Sequence, residues 1–347
     1  RVERGYDPAN ILTFRTGFPP VMFGEDYSIP GRFFAELLPR LRTAPGVVAA
    51  GAVSVLPGSD DNFNGYAVEG QPIATDSSTV PLAFIRYADA GYFRTMQIPL
   101  RAGRLFDETL DRRDSPMVAI VDERFARRHF GSAAGALGKR VKQGIPEGEK
   151  PMISPTSPHE AAMFARLTSW VEIVGVVGNI RHRADHDTNR PTLYYAPQQG
   201  PAHCNFLSIV LRTQGNPTAL VDAARDATLA TNRDIPIYYI RTLQEMEFRS
   251  FWQVRFFTHL FLVFGGVALV LACIGIYGVM AYSVSLRTRE LGLRMALGAQ
   301  AEDVVRMVVQ RGLALVGIGL GTGLVASFSL AHLLSNNLYG VSPHDPP

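Results

Sequence analysis

The chain has 347 residues, of which 19% are charged, with a formal net charge of +3 and a mean hydropathy of +0.07. So slight a charge, with no basic run interleaved with aromatics, excludes a nucleic-acid-binding surface as the organising feature. Two cysteines, Cys204 and Cys273, are too few for a disulfide framework and fall in segments of opposite polarity.

Taken from the N-terminus, Ile11 to Arg15 alternates as a strand. A helical stretch follows, with Phe33, Leu37 and Leu41 on one stripe and Phe34 and Leu38 beside it. Pro39 lies inside that stretch and is expected to kink it or end it early. A turn at Pro45-Gly46 leads into the small, β-branched run Val47 to Val55.

Residues 62–202 read mostly as β. Short alternating runs recur at Tyr66 to Val68, Ala83 to Tyr87, Val118 to Val121 and Val171 to Val177, with a helix at Asp122 to His129. Gly138-Lys139 suggests a phosphate loop, but that pattern needs glycine where Ala133 stands and Ser or Thr where Arg140 stands. Between Gly144 and Ser169, the prolines 146, 151, 155 and 158 mark a long surface loop. His182, Asp185, His186 and Asp187 have metal-ligand chemistry. Arg181 and Arg183 beside them would repel a cation, so an exposed loop is expected there. No Ser, Cys or carboxylate pair stands in a recognisable nucleophile or acid/base context. The expectation is a non-enzyme with no catalytic residue, no cofactor and no metal.

A second strand-helix-strand pattern closes this part. Phe206 to Arg212 is a strand, and Asn216 caps a helix with Pro217 at its first position. Leu220, Ala224, Ala227 and Leu229 or Ala230 supply the apolar face, and Ile235 to Arg241 is the last strand.

Two long apolar segments follow. Phe256 to Leu286 has no charged side chain apart from His259, and Gly312 to Leu338 none apart from His332. Each exceeds the roughly 20 residues that a helix needs to cross a hydrocarbon core of about 30 Å. Between them lie Arg287, Arg289, Arg294, Arg306 and Arg311 with no lysine, whereas Tyr339 to Pro347 has neither Lys nor Arg. The excess of positive charge puts this connection in the cytoplasm and the large N-terminal part outside. His259 and His332 then lie toward the outer ends, where an interfacial histidine is ordinary.

The expected fold class is an α/β extracytoplasmic domain, two β-α-β units interrupted by a β-rich insertion, plus an α-helical transmembrane region. Residues 1–61 and 203–250 form the α/β subdomain and 62–202 the insertion. Residues 251–286 and 312–338 are the transmembrane helices, 287–311 the cytoplasmic segment, and 339–347 an outer end. The first and last residues read as cuts in a longer polypeptide.

Within the cytoplasmic segment, Glu290 to Val309 sets an arginine-bearing polar face against Leu291, Leu293, Leu297, Val304, Val305 and Val308, as suits an interfacial helix. Gly298 offers a turn between two helical pieces. Arg289, Glu290 and Arg294 are placed for charge-assisted contacts with a partner, and they equally suit anchoring at lipid headgroups. In the second apolar segment Gly317, Gly319, Gly321 and Gly323 make two overlapping G-x-x-x-G patterns, and Ala268 and Ala272 repeat the spacing in the first. These faces are expected to pack against other helices in lipid; the plain abundance of small residues in membrane helices is the alternative.

The segment R-T-R-E-L-G-L-R-M-A-L-G-A-Q-A-E-D-V-V-R, from Arg287, resembles the cytoplasmic signature of the MacB/FtsX-type ABC transporter permeases. Ala88 to Phe106, Val118 to Phe130 and Val171 to His182 are similar to the periplasmic core domain of that family. The resemblance covers nearly the whole chain, and its wording is closest to the duplicated permeases, of which this would be the C-terminal half. It implies a multi-pass protein of the bacterial cytoplasmic membrane, its large domain extracytoplasmic and its spans packed with another transmembrane half or a second protomer. It also implies a cytoplasmic ABC ATPase subunit as partner, whose work the permease passes to the outer domain for export or extraction of a substrate. The implied ATPase contact is Arg289, Glu290, Leu291, Gly292, Arg294, Leu297, Gly298, Ala299 and Asp303. A membrane signalling protein with an outer sensor domain, or FtsX-like control of cell-wall hydrolases, are the alternatives. Re-entry into the membrane after about 25 residues disfavours a receptor, which would continue into a kinase or coiled coil.

Overall fold

A computed structural model describes residues 4–19, 22, 28–59, 62–74, 79–144, 165, 168–182, 190–199, 206–250, 252–296 and 301–335. The chain divides into two compact units, Arg1–Ser250 and Phe251–Pro347.

The first unit contains two sheets. Strands β1 (Ile11–Gly17) and β2 (Ala49–Val53) are joined through helix α1 (Ser28–Thr43). The second sheet follows with β3 (Phe63–Val68), β4 (Leu82–Tyr87), α2 (Ala90–Thr95), β5 (Leu100–Gly103) and β6 (Val118–Asp122). It continues through α3 (Glu123–Phe130), α4 (Ala133–Ala136), β7 (Arg140–Gln143), β8 (Val171–Val177) and β9 (Thr192–Tyr195). The chain then returns to the first sheet with β10 (Phe206–Arg212), α5 (Val221–Thr231), β11 (Tyr238–Thr242) and α6 (Leu243–Ser250).

The first sheet has the order β11-β1-β10-β2, and every pairing in it is antiparallel. β1 and β2 therefore run parallel to one another on either side of β10, and β10 and β11 on either side of β1. The strand-helix-strand segments at the two ends of the unit interleave rather than lie side by side. The second sheet has seven strands in the order β5-β8-β6-β9-β4-β3-β7, with β7 also paired to β8.

Two apolar cores hold these layers. Phe33, Leu37 and Leu41 of α1 bury against Leu12, Phe14, Ile209 and Leu211 of the first sheet. Each such side chain, fully buried, stabilises by about 1.5–3 kcal/mol. α1 runs through Pro39 without ending, contrary to the expectation of an early stop. The buried stripe continues past the proline to Leu41, and the Pro39 carbonyl is taken by the Thr43 hydroxyl at 3.2 Å. The second core lies between the sheets: Ile11, Val53 and Val210 meet Tyr92, Phe93 and Met96 around α2, and Ile120, Val177 and Tyr194 from the second sheet. Residues on the opposite face of the second sheet, such as Ala119 and Val121, pack with Phe125 and Ala126 of α3.

Local sequence explains most element ends. Asp122 caps α3, its carboxylate accepting from the Phe125 N–H, and Gly131 ends that helix at φ 74°. Asn216 caps a 3-10 turn, Pro217–Leu220, which leads into α5. On α5 the buried positions after Leu220 are Ala224 and Thr228, while Leu229 is 41% exposed; the expected Leu229 or Ala230 position is thereby corrected. Thr228 is tolerated inside because its hydroxyl donates to the Ala224 carbonyl at 2.8 Å.

The second unit is helical: α7 (Trp252–Leu286), α8 (Thr288–Ala296) and α9 (Ala301–Ser335). Phe256–Leu286, 31 residues with mean hydropathy 2.6, is long and apolar enough to cross a membrane. At 1.5 Å per residue it spans about 46 Å. None of its side chains is buried and most are exposed, Leu262 at 75% and Tyr277 at 76%. α9 is continuous from Ala301, so the piece 301–309 is the start of the helix that carries the second apolar stretch, Gly312–Ser327. It is not a separate interfacial helix.

Candidate functional site

The candidate partner-contact segment begins where α7 ends. The Arg287 N–H donates to the Val284 carbonyl at 3.0 Å, and the Thr288 hydroxyl reaches the Ser285 carbonyl at 2.8 Å. The last carbonyls of α7 thus find donors as the chain turns into α8. On α8, Arg289, Glu290, Gly292 and Leu293 are exposed, Leu293 at 67%. Arg289 and Leu293 are four residues apart and Gly292 three from Arg289, so they share one face. That face carries a cation, a bare backbone position and an apolar tip. Leu291, Arg294 and Asp303 lie within helices, the first two on α8 and Asp303 in the first turn of α9. Leu297, Gly298 and Ala299 fall outside the described residues.

α7 and α9 approach at Gly312, where an added Cβ would stand 3.5 Å from the terminal methyl of Met280. Farther along α9, an added Cβ at Gly317, Gly319, Gly321 or Gly323 would meet nothing within 4 Å. Ala268 and Ala272 are likewise exposed on α7. The small-residue faces are therefore open among the described residues.

The first unit holds a frame of buried charge that sequence reading did not find. Asp89, 6% exposed, caps α2. Its Oδ1 accepts from the Ala52 N–H at 2.7 Å and the Tyr92 N–H at 2.8 Å, and its Oδ2 from Arg42 at 2.8 Å. Arg42 also bonds Glu108. One carboxylate therefore joins β2, α1 and α2. Burial pushes the Asp89 carboxyl up, opposed by the Ala52 N–H and the Arg42 charge. The layers here are pressed together: a Cβ on Gly51 would stand 2.1 Å from the Tyr92 nitrogen, and one on Gly91 would be 2.3 Å from the Ala50 oxygen. Only glycine fits at this crossing.

A second group surrounds β4. Arg86, at 1% exposure, donates to the Asn62 and Ile85 carbonyls, each at 2.9 Å. Its Nη2 lies 3.5 Å from His182 Nδ1. His182 is buried, its Nε2 2.9 Å from the Thr192 hydroxyl and its ring 4.7 Å from that of Phe84. The expectation of an exposed loop is thus corrected at His182. Its neighbours in sequence are polar, but it packs on β4 and β9, a pairing invisible to local pattern. Burial, and then the charges of Arg86 and Arg124, hold the imidazole well below its ordinary pKa, so it is neutral. Burial pushes the Asp122 carboxyl up to about 6, against the stabilising Phe125 N–H. Asp185, His186 and Asp187 lie outside the described residues, among which no three His, Cys, Asp or Glu side chains converge. These groups bond backbone and one another, and their chemistry is that of a scaffold.

Comparison with known proteins agrees with this layout. The model of the MacB-like periplasmic core domain matches residues 3–228, and that of the FtsX-like permease C-terminal region matches 262–346. The probable syringafactin export ATP-binding/permease protein SyfD of Pseudomonas syringae pv. tomato is 25% identical over 248 residues, 70% of this chain and 34% of that protein. The macrolide export ATP-binding/permease protein MacB of Burkholderia cenocepacia is 22% identical over 246 residues, 70% of this chain and 33% of that protein. The chain thus spans about a third of the length of these curated relatives. Among solved structures, the periplasmic region of MacB from Actinobacillus actinomycetemcomitans is similar at 16% identity, covering 70% of this chain and 93% of that one with a TM-score of 0.41. With a family model matched over most of its length and an FtsX-like region after it, the chain belongs to the MacB-like periplasmic core domain family of ABC transporter permeases.

Proposed function

We propose that this chain is permease material of an ABC-type exporter, carrying motion driven by ATP hydrolysis on a cytoplasmic partner to an extracytoplasmic α/β domain. The observation that carries the proposal is the order of parts. A buried, two-sheet outer unit is followed by a fully exposed apolar helix, then a short charged helix, then a second long helix. An exposed apolar helix of this length is stable in lipid and not in water. The relatives named above are export ATP-binding/permease proteins, which supports export over sensing.

In this reading the protein sits in the bacterial cytoplasmic membrane with residues up to about 250 outside. α8 meets the ATPase through Arg289, Glu290 and Gly292, with Leu291, Arg294, Leu297, Gly298, Ala299 and Asp303 completing the contact. The open faces at Ala268 and Ala272 and at Gly317 to Gly323 pack against other membrane helices of the assembly. In this reading ATP is bound and hydrolysed on the partner and not on this chain.

The test is a detergent pull-down of the full-length permease, unaltered and with charge reversal at Arg289, Glu290 and Arg294. Recovery of an ATP-hydrolysing subunit by the unaltered protein alone is expected. Failure to recover any ATPase with the helices intact would sink the proposal.

A further inference from the structure

The first sheet has a face that only half closes. Residues opposite each other in a ladder point to the same side, and Thr13 faces Arg241, Arg15 faces Tyr238, and Gly17 faces Phe206. Ile11, at the start of β1, shares this side and is buried in the core around α2. Toward the other end of β1 the same side carries Arg15, Phe206 and Tyr238, all half-exposed.

There the side chains form a continuous array. The Arg15 guanidinium lies 5.7 Å from the Phe206 ring centre, and Phe206 meets Tyr238 at 6.4 Å. Tyr238 meets Tyr239 at 5.2 Å, and Arg241 lies 5.5 Å from the Tyr239 ring. Two cations thus bracket three rings. Tyr239 is 63% exposed and held at φ 52°, next to an irregularity in the β1–β11 register. A bulky side chain in the left-handed region is costly, and here it turns a tyrosine out beside Arg241. The bulge also breaks the β11 edge, so an added strand is a poor fit and the face itself is the available surface.

Neither guanidinium is paired with a carboxylate among the described residues, and the Arg15 Nε is buried without an acceptor. Elsewhere in the unit arginines find acids, as Arg42 does with Asp89, Arg104 with Asp111 and Arg212 with Asp7.

We propose that the Arg15–Phe206–Tyr238–Tyr239–Arg241 face binds an anionic amphiphile, an apolar ring or acyl body bearing a carboxylate, sulfonate or phosphate. Guanidinium groups fit such anions in a bidentate way, and the rings supply the apolar bed. That the ligand is cargo rests on the export reading; the binding does not.

The experiment uses the full chain in phosphatidylcholine nanodiscs and two fluorescent probes, anilinonaphthalene sulfonate and phenylnaphthylamine, the second lacking the anionic group. The double variant Arg15→Gln/Arg241→Gln is expected to weaken sulfonate binding about tenfold, the scale of lost charge-assisted contacts. Phenylnaphthylamine binding stays unchanged. Tyr239→Ala weakens both probes about threefold. Arg225→Gln, on α5, changes neither, and melting temperatures report that each variant is folded. Sulfonate binding indifferent to the arginines overturns the proposal, as does equal loss of both probes. With the same nanodiscs run over immobilised poly-glutamate, an arginine double variant that loses capture yet binds the sulfonate undiminished also overturns it, giving the face to an acidic protein segment. An ATPase recovered in the pull-down with charge-blind probe binding fails this proposal alone. Charge-selective binding without an ATPase fails the export reading alone.

Discussion

Phe93 and Phe261 are the same residue in two different solvents. Phe93 on α2 is fully buried, and Phe261 on α7 is 71% exposed. The outer unit removes its aromatics from water by packing them, whereas α7 presents them outward, so a surrounding lipid phase must do the same work. The glycines divide in the same way. Gly51 and Gly91 stand where a Cβ would collide with backbone, and Gly317 to Gly323 stand in the open. In the outer unit a small residue records a contact already made within the chain. At these α9 positions it records none among the described residues, and the proposed function gives that face to another helix.

The largest effect expected from this contrast is at the paired phenylalanines. Phe93→Ala should lower the stability of the outer unit by about 3–5 kcal/mol, read as the denaturation midpoint of the detergent-solubilised chain. Phe261→Ala should leave that transition in place, and an equal loss at both positions would break the comparison. Next, Gly51→Val overpacks the β2–α2 crossing and should cost about 2–3 kcal/mol. Gly321→Leu should not move the outer-unit transition, but should reduce assembly with other membrane helices on size-exclusion chromatography. Unchanged assembly would remove the packing role given to the α9 glycines.

Asp89→Asn sharpens the picture within the outer unit. The amide oxygen can still accept from Ala52 and Tyr92, while the charged bond to Arg42 is lost, so about 1–2 kcal/mol is expected. Thermal melting would show it, and a neutral result would mean that Glu108 alone satisfies Arg42.

The smallest effects are in pH dependence, where two buried groups oppose each other. Asp122, its folded pKa raised to about 6 from 3.8, adds stability that is complete below the unfolded value and lost as pH rises through about 6. His182, its folded pKa depressed below 6.5, adds stability that is present above that value and lost as pH falls. Between about pH 7 and about pH 5, His182→Gln should therefore gain stability on acidification relative to the unaltered chain, and Asp122→Asn should lose it. Denaturant midpoints at the two pH values test the signs, and slopes of the same sign would refute the assignment.

How much of this was legible depended on the range of the interaction involved. The α1 stripe of Phe33, Leu37 and Leu41 repeats with the helical period and was readable from neighbours alone. The α3 helix was readable too, one residue early: Asp122, read as its first residue, is the cap before Glu123. α2 was missed because six residues give too little periodicity, although Asp89 before Ala90-Gly91-Tyr92 is a capping residue in the right place. Strands β5, β7 and β9 were missed because four-residue strands carry no alternation to count. Within the candidate contact, the charges of Arg289 and Glu290 were readable, and so was the Gly292 position. That Arg86 and His182 share one buried site was not, since 96 residues separate them.

By itself the sequence determined the apolar helix and its charged sequel, because hydropathy over 31 consecutive residues is a sum that needs no partner. It likewise determined the caps and turns, which are set by side chains bonding their own backbone within a few residues. The tertiary structure alone decided the interleaved strand order, the glycine crossing at β2 and α2, and the face on which Arg15 and Arg241 bracket three rings. These depend on which strand pairs with which and in what register, and a shift of one residue would send every one of those side chains to the opposite side.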